Sequence, residues 1–278
     1  MLQKPTKVIA VCSGKGGVGK TNVASNIAVA LSERGRQVCL LDADVSLANV
    51  DVLLGLQPRL NLAHVVSGEA DLESTMLRGP NGIRIVPAAS GNFSMTDLPV
   101  SSQAAIIQAF NSIKIQPDVL IVDTAAGISA SVARFVQAAE HPLVVVQDEP
   151  ASLTDAYALI KVFSQNYGIS RFKLVTNQSL TATSGRRLFQ KLLRVTDNYL
   201  DVVLQHVGDV PNDRYLVKAV QEQRAVADAY PMSASGVAFR KIAKNLDRLP
   251  TQESPTGGLQ FFFEQLLGIS TEARGEVA

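Results

Sequence analysis

The sequence predicts an α/β fold in which a mostly parallel, twisted sheet is covered by helices on both faces, and three observations carry that expectation. Short apolar runs rich in β-branched residues alternate with longer stretches of helical period. The runs are apolar throughout, as in strands buried on both sides. Each chemical motif follows at the carboxyl end of such a run, where open parallel sheets bind their ligands. The strands are KVIAVC, QVCLL, IRIVPAA, DVLIVD, PLVVVQD and FKLVTN, with VVLQHVGDV a weaker seventh. Helical segments open near Lys20, Leu98, Ser129, Ser152, Ser184 and Asp213.

Composition narrows the class. The chain has 278 residues, 46% hydrophobic and 18% charged, enough to bury a large core. Lys and Arg number 26 against 25 Asp and Glu, a net charge of +1, so no bulk attraction to nucleic acid or anionic membrane is expected. No direct specific nucleic-acid binding is expected either. The basic cluster RKIAKNLDR, Arg240 to Arg248, reads most simply as a solvated helix face. Cys12 and Cys39 lie in apolar runs that read as neighbouring buried strands, and there is no CxxC pair for zinc or an iron–sulfur cluster. The N-terminal apolar stretch is too short for a signal peptide, and no run reaches the ~18 apolar residues of a spanning helix. A cytoplasmic protein with reduced thiols is expected. His64, His141 and His206 are scattered and read as structural or surface residues.

One composition break divides the chain. Residues 1–249 read as a single domain; PTQESPTGG, residues 250–258, reads as a linker, and residues 259–278 as a detachable tail. In the tail, Leu259, Phe262, Phe263, Leu266 and Leu267 fall on one face of a short amphipathic helix. Gln260, Glu264 and Gln265 occupy its polar face, where a membrane-surface helix normally carries Lys or Arg. Two readings stay open: a weak membrane anchor through 259–267, or docking on the protein's own body.

The chemistry starts at GKGGVGKT. It matches GxxxxGK[ST] from Gly14 to Thr21, after a strand and at the start of a helix. Gly14, Gly16, Gly17 and Gly19 let the backbone N–H groups, including that of Val18, turn inward on phosphate oxygens, and the helix opening at Thr21 and Asn22 adds its positive end. Lys20 places a charge on the β- and γ-phosphates, and the Thr21 hydroxyl is a natural Mg²⁺ ligand. Lys15 is a second lysine, set too early in the loop to serve the same phosphate. Taken alone it could be a surface lysine.

With that second lysine, as KGGVGKT, the loop resembles that of the deviant Walker A P-loop ATPases, the MinD/ParA family. The strings DADVSLANVDVLLGL, RIVPAASG and DEPASLTDAYALIK are similar to its flagellar number regulators of FlhG/FleN type. The resemblance covers about residues 7 to 249. It implies a P-loop NTPase domain that binds ATP or ADP with Mg²⁺, dimerises on ATP and hydrolyses it slowly. In the family the first lysine reaches the partner's nucleotide, and that role falls on Lys15. Beside Lys15 and Lys20, the catalytic Asp44 would hold the attacking water, with Asp42 either structural or placed just behind the Mg²⁺ ligands. Asp123, ending DVLIVD, resembles a Walker B aspartate, so Thr21, Asp123 and Asp44 form the implied metal set. Asn177 and the element Pro211, Asn212, Asp213 would frame the base. Asn177 could instead be a turn residue and Asp213 only a helix N-cap. Glu149 matches a position that touches nucleotide across the dimer.

For flagellar regulators the resemblance implies restraint of the AAA+ transcription activator FleQ, contact with the FlhF GTPase, and peripheral placement at the inner membrane and cell pole. The DQAxxLR motif with which some members stimulate FlhF is absent from this sequence. The alternative is a MinD-like septum-site or ParA-like cargo-positioning ATPase.

Overall fold

The computed structural model describes residues 5–44, 49–88, 99–181, 183–251 and 259–267. In chain order, β1 (Lys7–Cys12) leads to α1 (Lys20–Ser32), β2 (Val38–Asp42) and the short helices α2 (Val50–Leu53), α3 (Leu62–Val66) and α4 (Leu72–Thr75). Next come β3 (Leu77–Arg78), β4 (Arg84–Val86), α5 (Val100–Asn111), β5 (Val119–Asp123), α6 (Ala130–Ala138), β6 (His141–Gln147) and α7 (Pro150–Tyr167). The chain continues through β7 (Arg171–Ser179), α8 (Ser184–Tyr199), β8 (Val203–Pro211), α9 (Arg214–Gln221), α10 (Val226–Ala229), α11 (Ala234–Asp247) and α12 (Leu259–Leu266).

Among the described residues the strands form one eight-stranded sheet in the order β3-β4-β2-β5-β1-β6-β7-β8. Only β3 runs antiparallel, on β4. A two-residue edge strand leaves no periodic signal, which is why the sequence did not yield it. Every residue of β1 is buried, and the pleat divides them between two cores. Val8, Ala10 and Cys12 face Phe110, Phe163 and Leu192 on one side. Ile9 and Val11 face Ile27, Leu31 and Phe239 on the other. Burial on both faces explains why these strands read as continuous apolar runs.

Helix ends follow local chemistry. Ser129 caps α6 and Ser233 caps α11 by accepting backbone N–H groups, and Gly168, at φ +68°, ends α7 in the left-handed conformation that suits glycine. The cysteines are both buried and free, but β5 lies between their strands, so they are not on neighbouring strands as the sequence suggested. Burial pushes each thiol to about 12, which leaves both unreactive.

Part of the expected 250–258 linker, residues 252–258, lies outside the described residues, as do tail residues 268–278. The tail helix itself is seated on the body. Leu259, Phe262, Phe263, Leu266 and Leu267 are all buried, and the Phe263 ring stacks on Phe110 of α5 with centroids 4.0 Å apart. The i, i+3, i+4 stripe read from sequence is therefore the face that docks. Phe263→Ala removes a fully buried aromatic and should lower the unfolding free energy by about 3–5 kcal/mol in chemical denaturation. An unchanged midpoint would mean that α12 adds nothing to the core.

Candidate functional site

The carboxyl ends of the sheet gather the motifs. Because β1 and β5 are paired in parallel with Val11 opposite Asp123, the loop after β1 lies beside the acid that ends β5. The loop, Ser13 to Gly19, turns through Gly17 and Gly19 at φ +80° and +85°, conformations an L side chain rarely adopts. At Gly19 a side chain would also collide with the Asn177 amide, and at Gly14 with the Asp155 carbonyl. Gly127 N donates to Ser13 O at 2.8 Å and ties the loop after β5 to it. The result is a cleft of about 510 Å³ lined by Lys15, Gly16, Gly17, Gly19, Lys20, Thr21, Asn22 and Asp44.

Lys20, the first residue of α1, is buried and donates from Nζ to Asp123 Oδ1 at 2.6 Å. Asp123 is fully buried, and its Oδ2 has no partner. Burial raises its affinity for a proton, with Lys20 and the neighbouring Thr21 hydroxyl opposing. Asp42 is also buried: it accepts from Asp44 N at 3.1 Å, Asn49 N at 3.2 Å and Val50 N at 3.2 Å, which shapes the loop after β2. Burial, and then the charge of Asp123, push it up to about 7. The Asp42 carboxylate is thus taken up by backbone N–H groups, while Asp44 lines the cleft. Residues 45–48, including Ser46, lie outside the described residues.

The donor set fits a magnesium nucleotide. Among the described residues no three acidic, histidine or cysteine side chains converge to cage an ion. Mg²⁺ asks little of protein ligands when phosphates complete its shell. Thr21 and the orphaned Asp123 Oδ2 supply hard oxygen next to a glycine cradle.

Lys15 points elsewhere. Its Nζ pairs with Glu149 Oε1, both side chains about one-third exposed at 33% and 37%, at the mouth of the cleft. The structure thus joins two residues that the sequence assigned separately. Asn177, at the end of β7, donates from Nδ2 to Val18 O at 2.8 Å, and its Oδ1 is buried without a partner. It is a residue of β7 held against the phosphate loop, not a turn residue. Asn212 is exposed beside Pro211, and its N–H donates to Ser179 O at 3.0 Å.

Both oxygens of Asp213 are engaged within the body of the protein. Oδ1 accepts from Tyr215 N at 2.9 Å, and Oδ2 accepts from Ser235 N at 2.9 Å and Ser235 Oγ at 2.7 Å. Its carboxylate caps α9 and ties it to α11, the N-cap alternative that the sequence left open. The sequence missed Val52, Leu53, Val220 and Gln223, which line the far wall. Only a pair of exposed valines three residues apart on α9, Val217 and Val220, could have hinted at it.

Lys20→Ala leaves Asp123 buried without its cation and should cost about 3–5 kcal/mol of stability in the nucleotide-free chain. Because the folded Asp123 binds its proton more tightly than the unfolded one, that loss deepens as pH rises above the ordinary carboxylate range and shrinks below it. Asp123→Asn in the same chain should recover part of it in urea titrations. An equal, pH-independent loss in both variants would contradict the pairing.

A family model described as ParA: NUBPL iron-transfer P-loop NTPase matches residues 4–247. The chain is 53% identical to the antiactivator FleN of Pseudomonas aeruginosa, covering 95% of this chain and 94% of that protein. It is 33% identical to the flagellum site-determining protein YlxH of Helicobacter pylori, covering 94% and 90%. In three dimensions it is similar to the septum site-determining protein MinD complexed with Mg-ADP from Pyrococcus horikoshii, with a TM-score of 0.67, 26% identity and coverage of 87% and 96%. The iron-transfer part of the family description has no counterpart in the two buried, separated cysteines. The glycine cradle, its buried lysine–aspartate pair and the match over most of the chain agree: this chain belongs to the ParA family of P-loop NTPases and is an ATPase of that family.

Proposed function

We propose that this chain is an ATP- and Mg²⁺-dependent dimerising switch with slow hydrolysis, which controls flagellar number and placement by restraining the transcription activator FleQ. The observation that carries this reading is the position of Lys15. Lys20 already occupies the floor of the cleft, on Asp123. Lys15 stands at the mouth, about one-third exposed and paired with Glu149, where a second molecule can take up both groups. A cation supplied from a partner stabilises the charge that develops in phosphoryl transfer, and nucleotide then decides between two assembly states. Identity of 53% to an antiactivator and of 33% to a flagellum site-determining protein supports the flagellar branch over the septum and cargo branches.

In this reading each residue has a task. The glycine loop and Lys20 hold the phosphates, Thr21 and Asp123 hold Mg²⁺, and Asp44 positions the attacking water. Asn177 offers its orphaned Oδ1 to an exocyclic amine of the base, with Pro211 and Asn212 alongside. Bound Mg²⁺ would supply charge neutralisation between the phosphates and Asp123. The tail helix is the conditional membrane contact: with no basic residue on its polar face, it binds lipid weakly and only when dimerisation releases it from α5 and α6. FlhF is a further partner in this scheme. Partners act by preferring one state, so each must bind the dimer and the monomer unequally.

In a deletion strain of the host, supernumerary flagella should appear in electron micrographs. They should be restored to normal number by the wild-type chain and not by Lys15→Ala, even though that variant keeps Lys20 and still binds ATP. Normal flagella in the deletion strain, or full rescue by Lys15→Ala, would overturn the reading.

A further inference from the structure

Among the described residues the sheet ends in β8, which is paired on one side only. Its two faces are covered by α8, through Leu188 and Leu192, and by α11, through Phe239 and Ile242. Between these helices a cleft of about 620 Å³ opens onto the strand edge. Its lining is amphipathic. Phe189, Val237 and Ile242 supply apolar surface, and Arg186 and Lys241 stand at its rim. The His206 ring stacks on Phe189 with centroids 5.0 Å apart, and its Nε2 lies 3.0 Å from Asp209 Oδ1. Ser179, almost fully buried, lines the same cleft, and its Oγ has no hydrogen-bond partner.

Charge is concentrated here beyond the chain's balance. Arg186, Lys191 and Arg194 on α8, with Lys241 and Lys244 on α11 and Arg248 just past its end, are exposed, and none forms an ion pair with a described residue. The basic residues nearby that face the body are neutralised: Arg240 by Glu33 at 2.7 Å, and Arg34 and Arg36 by Asp247 at 3.0 and 2.7 Å. Lysines alone would suffice to discourage edge-to-edge pairing of β8. They would not require an open apolar cleft floored by a stacked aromatic pair, nor the exposed Leu180 and Val237 that flank it. Duplex DNA fits poorly, because the floor sets a carboxylate, Asp209, and apolar side chains where phosphates would have to lie.

We propose that this cleft is a docking site for an acidic peptide segment of a partner protein, whose carboxylates meet Arg186 and Lys241 while its apolar side chains pack on Phe189, Val237 and Ile242. The charge complementarity would steer encounter and fix register, and the apolar floor would supply affinity. The proposal rests on the reading that the chain acts through partners, but docking itself does not pass through the nucleotide site. It can therefore be tested without nucleotide, and its failure would leave the switch standing.

The full chain, without nucleotide, is immobilised and a random short-peptide phage library is selected against it. Enriched peptides should carry net negative charge and apolar anchors. In fluorescence anisotropy they should bind at least about tenfold more weakly to Arg186→Glu/Lys241→Glu. Arg59→Glu, outside the cleft, should bind as wild type, and circular dichroism confirms that each variant is folded. Val237→Asp, which leaves both cations in place, should also weaken binding. Failure to enrich acidic apolar peptides, or unchanged affinity in the double variant, would overturn the proposal. Duplex DNA that binds the wild-type chain and is lost on Arg186→Glu/Lys241→Glu would assign the surface to nucleic acid instead.

Discussion

The contact between Lys20 and Asp123 is the constraint around which the rest is arranged. Two opposite charges sit at the carboxyl edge of the sheet, 2.6 Å apart and buried. A buried pair of this kind contributes little net stability compared with an apolar pair of the same volume, and breaking it is costly. Its retention is therefore better understood as chemistry than as packing. The pair fixes the opening of α1 against the end of β5, and the parallel register of β1 on β5 keeps the glycine loop beside it. In the nucleotide-free chain Lys20 satisfies one oxygen of Asp123 and leaves the other bare. Phosphate and Mg²⁺ would divide that arrangement, the lysine going to the anion and the carboxylate to the cation.

Strand-end logic explains what was legible in the sequence. An apolar run followed at once by a glycine loop or an aspartate can lie only at the carboxyl edge of a parallel sheet, so the loop, Asp42, Asp44 and Asp123 could be placed from local pattern alone. Asn177 was legible as a position, but its hold on Val18 O depends on residues far apart in sequence. For Asp213 the sequence left a cap and a ligand both open, because the two look alike before the fold brings Ser235 to the second oxygen. The far wall of the cleft, Val220 and Gln223, sits on a helix whose amphipathic pattern reports only that it packs on something. The order of strands was also hidden, which is why the two cysteines seemed to be neighbours.

The tail illustrates the same limit. Its apolar stripe was plain, but a stripe does not name what covers it. Phe110 of α5, together with α6, supplies the cover in this structure. Any membrane role must then compete with that docking. The polar face brings no basic residue to help, so release has to come from a change in the body.

A single titration addresses the central claim most directly. A fluorescent ATP analogue is added to the purified chain, with Mg²⁺ present and with Mg²⁺ chelated, and the same is done with Asp123→Asn. Binding that tightens with Mg²⁺ in the wild-type chain, and loses that Mg²⁺ dependence in Asp123→Asn, is the expected result. Absence of nucleotide binding, or a Mg²⁺ effect that survives the substitution, would contradict the role given to the buried pair.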